Sequence, residues 1–275
     1  MTDFILTHEA SIRLGVFVSI LLLMMSAEAL FPRKTRVMGR AHRWTSNLLL
    51  IVIDGLFVRL LFPIVAVGVA IIAADKNWGL FNILDLPIWL EVALAIIILD
   101  MMIYWQHVAS HHIPFLWAMH KVHHADRDID VTTGSRFHPI EIGLSMAYKM
   151  VLVIILGAPV LAVILFELIL NGCAMFNHSN VKLPLKFDRI LRRFIVTPDM
   201  HRVHHSTIAS ETNSNYGFSL SLWDRIFGSY TAQPSEGHDG MVIGLKEYQN
   251  AGPASLTWSL LLPLGKGLKT VRNWL

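Results

Sequence analysis

The 275-residue chain is 54% hydrophobic and only 16% charged, and its mean hydropathy is +0.52, which excludes an ordinary soluble domain. The formal charge of +3 is compatible with nucleic-acid binding, but a membrane protein with Lys and Arg concentrated in one set of loops accounts for it better. We therefore expect no nucleic-acid partner. The single cysteine, Cys173, excludes an intrachain disulfide and a cysteine-based zinc site.

Four long apolar stretches predict the membrane-spanning elements. They cover residues 14–31, 47–74, 86–105 and 141–176. The fourth is too long for one span of about 20 residues. Because "LGAPV" interrupts it with a glycine and a proline, we interpret it as a helical hairpin that enters the membrane and returns. The sequence thus predicts an all-α integral membrane protein with about three transmembrane helices, a helical hairpin and a helical cap that faces the cytosol.

The distribution of basic residues predicts the orientation. The segment "FPRKTRVMGRAHR" between the first two spans contains five Lys and Arg, whereas "DKNW" between the second and third contains one. Basic loops remain in the cytoplasm, so the third span runs inward and His107 emerges on the cytoplasmic side. A hairpin returns the chain to that same side. We therefore expect an inner or cell membrane location, with the histidine clusters facing the cytoplasm.

Histidine is the unusual component of the composition. Of fourteen histidines, eleven fall between His107 and His205. The hexapeptides "MHKVHH" at 119–124 and "MHRVHH" at 200–205 repeat three histidines at i, i+3 and i+4, a spacing that places side chains on one face of a helix. At the end of the third span, His107 and His111 share a face, whereas His112 points away from it. A further histidine, His178, follows the hairpin in "FNHSN".

Nine histidines are therefore candidate metal ligands. Any one group is also compatible with surface or hydrogen-bonded histidines, but the repeat of HxxHH together with HxxxH favours a metal centre. Nine imidazoles exceed what one ion binds, whereas two ions with four or five ligands each fit the number. Imidazole suits both iron and zinc, so the ligand type leaves the metal open. The predicted dimetal ligands are His107, His111, His120, His123, His124, His178, His201, His204 and His205.

Four polar residues are candidates to support these ligands. Asp100 shares a helix face with His107, a position from which a carboxylate can fix an imidazole tautomer. Asp199 lies in the first turn of the helix predicted for the second hexapeptide. Asn215 and Asp224 lie in "NSNYGFSLSLWDRIFGSY" and either bond to ligand imidazoles or belong to a packed turn that braces the last histidine helix. We favour the bracing role.

The motifs resemble those of a known superfamily. "D…YWQH…H", "HKVHH", "FHP", "FNHSN", "TPDMHRVHH" and "NSNYGFSLSLWDRIFGSY" are similar, in order and spacing, to the fatty acid hydroxylase/sterol desaturase superfamily of integral-membrane di-iron oxygenases, over roughly residues 92–231. "EALFPRK" looks like bacterial members. The resemblance implies two iron ions at the nine histidines, with zinc as a possible substitute. It also implies hydroxylation or desaturation of a lipid C–H bond (sterol, fatty acyl or ether lipid) with O2 and two electrons.

The resemblance implies oxidation of a lipid C–H bond, and this reaction determines which catalytic groups and partners the protein needs. A lipid C–H bond has no proton that a side-chain acid or base is able to remove. The metal centre itself is therefore the catalytic group, and no separate catalytic acid or base is assigned. The lipid arrives from the bilayer. No cytochrome, flavin or nicotinamide motif is visible, so the electrons are expected from a separate donor of cytochrome b5, ferredoxin or reductase type.

The sequence departs from the superfamily pattern at one position. Some members have a further histidine four residues before His178, where this chain has Ala174. Either one ion has one ligand fewer, supplied by water or by Asn180, or the centre uses nine histidines. His138 in "FHPIE" recurs in the superfamily, and we interpret it as a residue that bonds to a ligand or starts a helix.

The predicted organisation has three parts. Residues 1–91 form the N-terminal transmembrane helices, 92–231 the hydroxylase-like catalytic domain, and 232–275 a C-terminal interfacial tail. The basic end of that tail, "KGLKTVRNW", is expected to contact anionic lipid.

Two alternative functions remain open from the residues alone. A bis-histidine haem electron carrier needs histidine pairs on facing spans at membrane depth. A histidine-rich metal transporter needs its ligands within the spans, near the midplane. Because the histidine clusters follow the spans here, we favour the oxygenase.

Overall fold

A computed structural model describes residues 7–265, and the regular elements of that part of the chain are all helices. β-Type pairing in the same residues is limited to isolated bridges such as the one between Pro32 and Val181. The all-α prediction is confirmed. The α-helices are α1 (Glu9–Leu30), α2 (Arg40–Leu61), α3 (Ala66–Asp75), α4 (Ile88–His112), α5 (Pro114–His124), α6 (Pro139–Leu156), α7 (Val160–Asn177), α8 (Leu185–Leu191), α9 (Pro198–His204), α10 (Ala209–Thr212), α11 (Leu222–Ile226), α12 (Gly237–Gly240) and α13 (Leu256–Leu261).

Five helical segments of the described chain are long and apolar enough to cross a membrane. Four of them are α1, α4, α6 and α7, and the fifth, Arg40–Asn82, contains both α2 and α3. The second apolar stretch, predicted as a single span, is divided into two helices by a break between Leu61 and Ala66. Pro63 lies in this break, where it lacks a backbone N–H and disfavours helical geometry at the residue before it. The second predicted span is therefore built from two helices, so the number of helices, but not the number of apolar segments in the described residues, differs from the prediction.

The predicted hairpin is formed by α6 and α7. Helix α6 is followed by Gly157, whose φ of 62° is a left-handed conformation that glycine adopts without strain. Pro159 then precedes the first residue of α7. A Cβ on Gly157 would lie 2.6 Å from the carbonyl oxygen of Trp78, so the turn also packs closely against the loop after α3. Helix α6 leads away from His138, and α7 brings the chain back to His178.

One buried carboxylate links three of the membrane helices. Glu167 of α7 accepts a hydrogen bond from Lys149 Nζ of α6 at 2.9 Å and one from Arg13 of α1 at 2.5 Å. Arg13 also donates to Glu9 at 2.7 Å. Since an unpaired charge is costly inside a bilayer, these pairs hold α1 against both arms of the hairpin.

The short helices α5 and α8 to α13, together with the segments that connect them and the segment between α5 and α6, form a cap over one end of the membrane helices. Buried ionic contacts join this cap to α2. Arg43 of α2 donates to Asp126 at 2.7 Å and pairs with Asp130. Arg136 donates to Asn47 of α2 at 2.6 Å. All five side chains are fully buried or nearly so, and buried arginines need such partners for every donor. The basic segment between the first two spans is thus partly built into the cap.

The described part of the C-terminal segment packs against the same cap. Trp258 and Leu262 form an apolar cluster with Val122 of α5. These residues are therefore part of the folded cap, whereas the basic stretch 266–274, expected to contact lipid, lies outside the described residues. The division of the chain into three parts remains a prediction.

Candidate metal centre

Nine histidine side chains meet under the cap and form two groups. Within each group, one imidazole nitrogen from every member lies within 4.8 Å of those from the others. The five-histidine group is His107, His111, His120, His124 and His204, and the four-histidine group is His123, His178, His201 and His205. All nine histidines singled out from the sequence are present, and neither group includes a carboxylate within the part of the chain that the structure describes.

The repeated hexapeptide has a structural explanation. Helix α5 directs His120 and His124, which are one helical turn apart, into the five-histidine group, and His123 into the other. Helix α9 does the reverse, with His204 in the five-histidine group. The other two histidines of this motif belong to the four-histidine group: His201 lies in the helix, and His205 directly follows it. Each HxxHH motif therefore contributes to both groups, so the two helices hold the groups side by side.

The closest contacts between imidazole nitrogens all lie within one group. In the five-histidine group, His107 Nε2 lies 3.1 Å from His120 Nε2 and 3.1 Å from His204 Nε2. In the four-histidine group, His178 Nε2 lies 3.0 Å from the Nε2 atoms of His123 and His201. A separation of about 3 Å is expected for two imidazoles bound about 2.1 Å from one ion, at roughly a right angle.

Buried nitrogens without a hydrogen-bond partner also point inward. Both ring nitrogens of His124 and of His205 are buried and lack a partner among the described residues, as does Nε2 of His111. Leaving such atoms unpaired is costly unless something else satisfies them. A metal ion in each group fits these donors.

The outer nitrogens of several imidazoles are held by backbone carbonyls. His107 Nδ1 donates to the carbonyl of Tyr216 at 2.7 Å, and His204 Nδ1 to that of Ser214 at 2.6 Å. His178 Nδ1 donates to the carbonyl of Ala174 at 2.7 Å. A carbonyl only accepts, so the hydrogen is on Nδ1 and the lone pair of Nε2 faces the group.

Burial keeps these imidazoles neutral. It lowers the pKa of His178 to about 4 and the pKa of His204 to about 3, because the charged form loses its hydration. Burial, followed by the proximity of other histidines, also lowers the pKa of His123, His201 and His205 well below the ordinary value. Neutral imidazole is the form that binds metal, so the groups are ready to bind ions at neutral pH.

Glu141 is a site residue that the sequence did not reveal. Its Oε1 accepts a hydrogen bond from His120 Nδ1 at 2.6 Å, and its Oε2 is buried without a partner among the described residues. A carboxylate in this position fixes the tautomer of the imidazole and raises its basicity as a ligand. The only sequence signal was its place in the first turn of α6, three residues after His138.

Two of the three aspartates considered as supports, Asp100 and Asp224, bond to groups other than the imidazoles. Asp100 touches no imidazole: it accepts from Trp223 Nε1 at 2.8 Å, so it attaches α11 to α4 and does not fix a tautomer as expected. Asp224 accepts the backbone N–H of Tyr216 at 2.7 Å. Since the Tyr216 carbonyl holds His107, Asp224 acts on the ligand only through this backbone.

Asn215 and His138 have supporting roles. Asn215 donates to the carbonyl of Met200 in α9 at 2.9 Å, which agrees with the favoured bracing role. His138 caps the first turn of α6 by accepting from the backbone N–H of Ile140 at 3.2 Å, so it starts a helix and belongs to neither group.

Asn180 and Asp199 connect the cap to the loop after α1. Asn180 accepts from the backbone N–H of Lys34 at 3.0 Å, so its side chain does not replace the ligand missing at Ala174. Asp199 pairs with Arg33 at 3.2 Å. Both residues therefore position the cap and are not bonded to an imidazole of either group.

Two cavities lie beside the five-histidine group. The larger, about 280 Å³, is mostly apolar and extends to Trp105 and Tyr148 on α4 and α6. The smaller, about 130 Å³, reaches His107 and His120. Both are lined by Glu141, together with Gln106, Ser110 and Ser145, so they adjoin each other and lead from the membrane helices to the histidines.

The fold and the site together define an integral membrane protein whose buried histidine groups are able to hold metal ions. The chain belongs to the fatty acid hydroxylase family, whose model matches residues 92–229.

Three curated relatives illustrate the family. The ornithine lipid hydroxylase of Rhizobium tropici is 29% identical over 151 residues, which cover 54% of this chain and 44% of that protein. Human alkylglycerol monooxygenase is 30% identical over 62% of this chain and 36% of its own length. Human lathosterol oxidase is 30% identical over 54% of this chain and 47% of its own length. The chain thus spans less than half the length of these relatives, and no solved structure matches it significantly.

Proposed function

We propose that the chain is a membrane-bound oxygenase that hydroxylates or desaturates a C–H bond of a lipid with O2 and two electrons. The observation that supports this function best is the pair of histidine groups beside an apolar cavity between membrane helices. The family and the names of the relatives agree, because those names refer to an ornithine lipid, an alkylglycerol and lathosterol. The lipid class for this chain is a sterol, a fatty acyl lipid or an ether lipid.

Each histidine group holds one iron ion in this proposal, with zinc as a possible substitute. When bound, the two ions supply the oxygen chemistry that an unactivated C–H bond requires and that side chains lack. The nine histidines are the ligands. Imidazole binds metal in its neutral form, so no ligand offsets the charge of the ions.

The surrounding residues keep the ligands in place. The carbonyls of Tyr216, Ser214 and Ala174, and the carboxylate of Glu141, each hold one Nδ1–H and so direct the opposite nitrogen inward. The histidine side chains are shielded from bulk solvent, and all members except His111 are almost completely inaccessible. A ligand set shielded in this way limits unwanted reaction with solvent.

The cavities give the lipid a route to the histidines. Trp105 on α4, which is 42% exposed, is among the residues that line the larger cavity. An apolar chain entering from the bilayer passes between α4 and α6 and meets Phe137, which lies in the smaller cavity and stacks on the ring of His123. The side chains around this route position the carbon to be oxidised.

The haem and transporter alternatives fit the geometry less well. Nitrogen separations of 3.0 to 3.1 Å within each group leave no space for a porphyrin between two imidazoles. The groups also lie at the ends of α4 and α7 and not at the middle of the spans, where transporters bind their substrates: His107 and His111 are in the last two turns of α4, and His178 directly follows α7.

The orientation and the electron source are also part of the proposal. The cap is placed on the cytoplasmic side, because the basic segment after α1 lies with it, as the pairs of Arg33 with Asp199 and Arg43 with Asp126 illustrate. Electrons then come from a separate cytoplasmic donor of cytochrome b5, ferredoxin or reductase type.

Comparative lipid mass spectrometry tests this function. Membrane lipids from a host that expresses the chain are compared with those from a host that expresses His204→Ala. We expect a lipid that has gained one oxygen atom, or lost two hydrogen atoms, only with the unaltered chain. Identical lipid profiles, with both proteins present in the membrane at equal levels, would refute the proposal.

A further inference from the structure

A short segment of the cap exposes an unusual number of large apolar side chains. Helix α8 and the turn after it expose Leu185, Phe187, Ile190 and Phe194 by 72%, 53%, 59% and 64%. Helix α11, which follows in the same region, exposes Ile226 by 57%. A water-soluble surface rarely contains such a continuous apolar patch unless something covers it.

The exposed side chains of this segment form two adjacent rows. Phe187 and Ile190, three residues apart in α8, lie on one side of the helix, and Phe194 follows in the turn after it. Lys186 and Arg189 each precede one of these helical residues and Arg193 precedes Phe194, and all three basic side chains are exposed. An apolar row beside a basic row is typical of a helix that lies in the plane of a membrane surface.

No exposed acidic side chain interrupts the surface. Within residues 182–194 and 222–227, every exposed charged residue is Lys or Arg. The two acidic residues of these ranges, Asp188 and Asp224, are buried, and Asp188 pairs with Arg192. The surface is therefore complementary to anionic groups.

Both ends of the segment are attached to the cap-side ends of membrane spans. At its beginning, the backbone N–H of Lys182 donates to the carbonyl of Phe31, directly after α1, at 2.8 Å. On α11, the ring of Phe227 lies 4.8 Å from that of Trp105 on the span α4. α8 and α11 are linked through the backbone, because Ser221 donates to the carbonyl of Phe194. These contacts place the segment at the level where two spans leave the membrane.

We infer that α8, the turn after it and α11 form a membrane-contact face that binds anionic lipid headgroups of the bilayer that the chain spans. The apolar row of this face inserts about 5–10 Å into the boundary between headgroups and acyl chains, and the basic row binds the anionic headgroups above it. Because Phe227 contacts Trp105, an exposed residue that lines the larger cavity, the face keeps this side of the cavity level with the acyl chains.

Single-cysteine fluorescence measures the depth of this face. In a Cys173→Ser background, a thiol-reactive fluorophore is attached to Ile190→Cys or to Ile226→Cys, and the full chain is reconstituted in vesicles of phosphatidylcholine and phosphatidylglycerol. A label at Glu236→Cys, an exposed residue of the loop before α12, is the control. We expect a quencher on a shallow acyl carbon to lower emission at 190 and 226 by about twofold or more, and aqueous iodide to quench only at 236. Iodide quenching at 190 and 226 as strong as at 236 would overturn the inference and assign the surface to a soluble partner.

Charge reversal tests the lipid preference separately. Arg189→Glu combined with Arg193→Glu changes two exposed side chains that belong to neither histidine group, so we expect the purified variant to keep the metal content of the unaltered chain. Both proteins carry the label at Ile190→Cys. With Arg189 and Arg193 retained, we expect the acyl-chain quencher to lower the emission more in phosphatidylglycerol vesicles than in neutral ones. We expect the charge-reversal variant to lose this difference. An unchanged difference in the variant would exclude the basic row as the headgroup-binding element. Neither outcome depends on whether the chain oxidises a lipid.

Discussion

His107 and His204 are 97 residues apart in the chain, yet their Nε2 atoms lie 3.1 Å from each other. This approach depends on the hairpin, because α6 carries the chain away from the cap and α7 returns it before α9 begins. A single crossing in place of the hairpin would leave the two histidines on opposite membrane faces. The turn at Gly157 is therefore a requirement of the site, although it is remote from the histidines.

The first prediction concerns that turn. Gly157→Ala places a Cβ on a residue with φ of 62° and 2.6 Å from the Trp78 carbonyl oxygen. We expect a loss of about 1–3 kcal/mol in the free energy of unfolding, measured as a lower Tm in detergent. Gly15→Ala on α1, where a Cβ meets no atom within 4 Å, is the control and is not expected to lower the Tm, since alanine favours a helix. Equal Tm values for both variants would show that the turn is not constrained.

The second prediction concerns the ligands. His123→Ala and His204→Ala each remove a member of one group, so we expect metal content to fall and lipid oxidation to drop to background. His112→Ala is the matched control, since this exposed residue bonds only to the carbonyl of Val108, at 3.0 Å, and belongs to neither group. Elemental analysis and product formation are measured on all three. An active, metal-replete His204→Ala protein would defeat the ligand assignment.

The third prediction concerns Glu141, which accepts a hydrogen bond from His120 and also lines both cavities. Glu141→Ala removes the acceptor of His120 Nδ1 and is expected to weaken metal binding by roughly 10–100-fold, measured by competition with a chelator. Glu141→Gln retains an oxygen that accepts this hydrogen bond, so its metal affinity stays within a few-fold. Ser145→Ala, which alters the same cavities without touching an imidazole, is the control. Unchanged affinity in Glu141→Ala would show that the carboxylate does not support the ligand.

The fourth prediction is a pH effect. Burial raises the pKa of Asp224 from 3.8 to about 6, although its backbone and hydroxyl hydrogen bonds act in the opposite direction. As the pH rises, the unfolded chain therefore loses this proton before the folded chain does. The free energy of unfolding falls as the pH rises from about 4 to 6, and the effect of Asp224 on it is constant above that range. This shift in pKa corresponds to a loss of roughly 3 kcal/mol in the free energy of unfolding between the two ends of the range.

Asp224→Asn isolates this contribution, because both proteins share every other titrating group. We expect the Tm of the unaltered chain, relative to that of the variant, to decrease between pH 4 and 6.5. Parallel curves for the two proteins over this range would contradict the assignment of that proton to Asp224.

The helical architecture was predictable because it follows from apolar length and from the glycine and proline of the turn. The histidines of the two hexapeptides were predictable as well, since i, i+3 and i+4 spacing fixes a shared helix face, and His107 and His111 are one turn apart. His178 was indicated by its place after the hairpin and not by spacing. The sequence could not show that each hexapeptide serves two groups. That division depends on how α5 and α9 cross, and helix crossing is set by packing across the whole cap.

The supporting residues were harder to predict for the same physical reason. The face of α4 shows in which direction Asp100 points, but not that Trp223 lies opposite it. Glu141 reaches His120 from a different helix, and the carbonyls of Tyr216 and Ser214 carry no sequence signal at all. Hydrogen bonds between distant segments become visible only when the chain is folded.

The location of bound iron tests the central claim most directly. Anomalous X-ray scattering at the iron edge, on crystals of the purified chain, gives the position of each ion independently of activity. We expect two peaks, one within the five-histidine group around His107 and His204, and one within the four-histidine group around His123 and His178. A single peak shared by both groups, or iron bound outside them, would contradict the account.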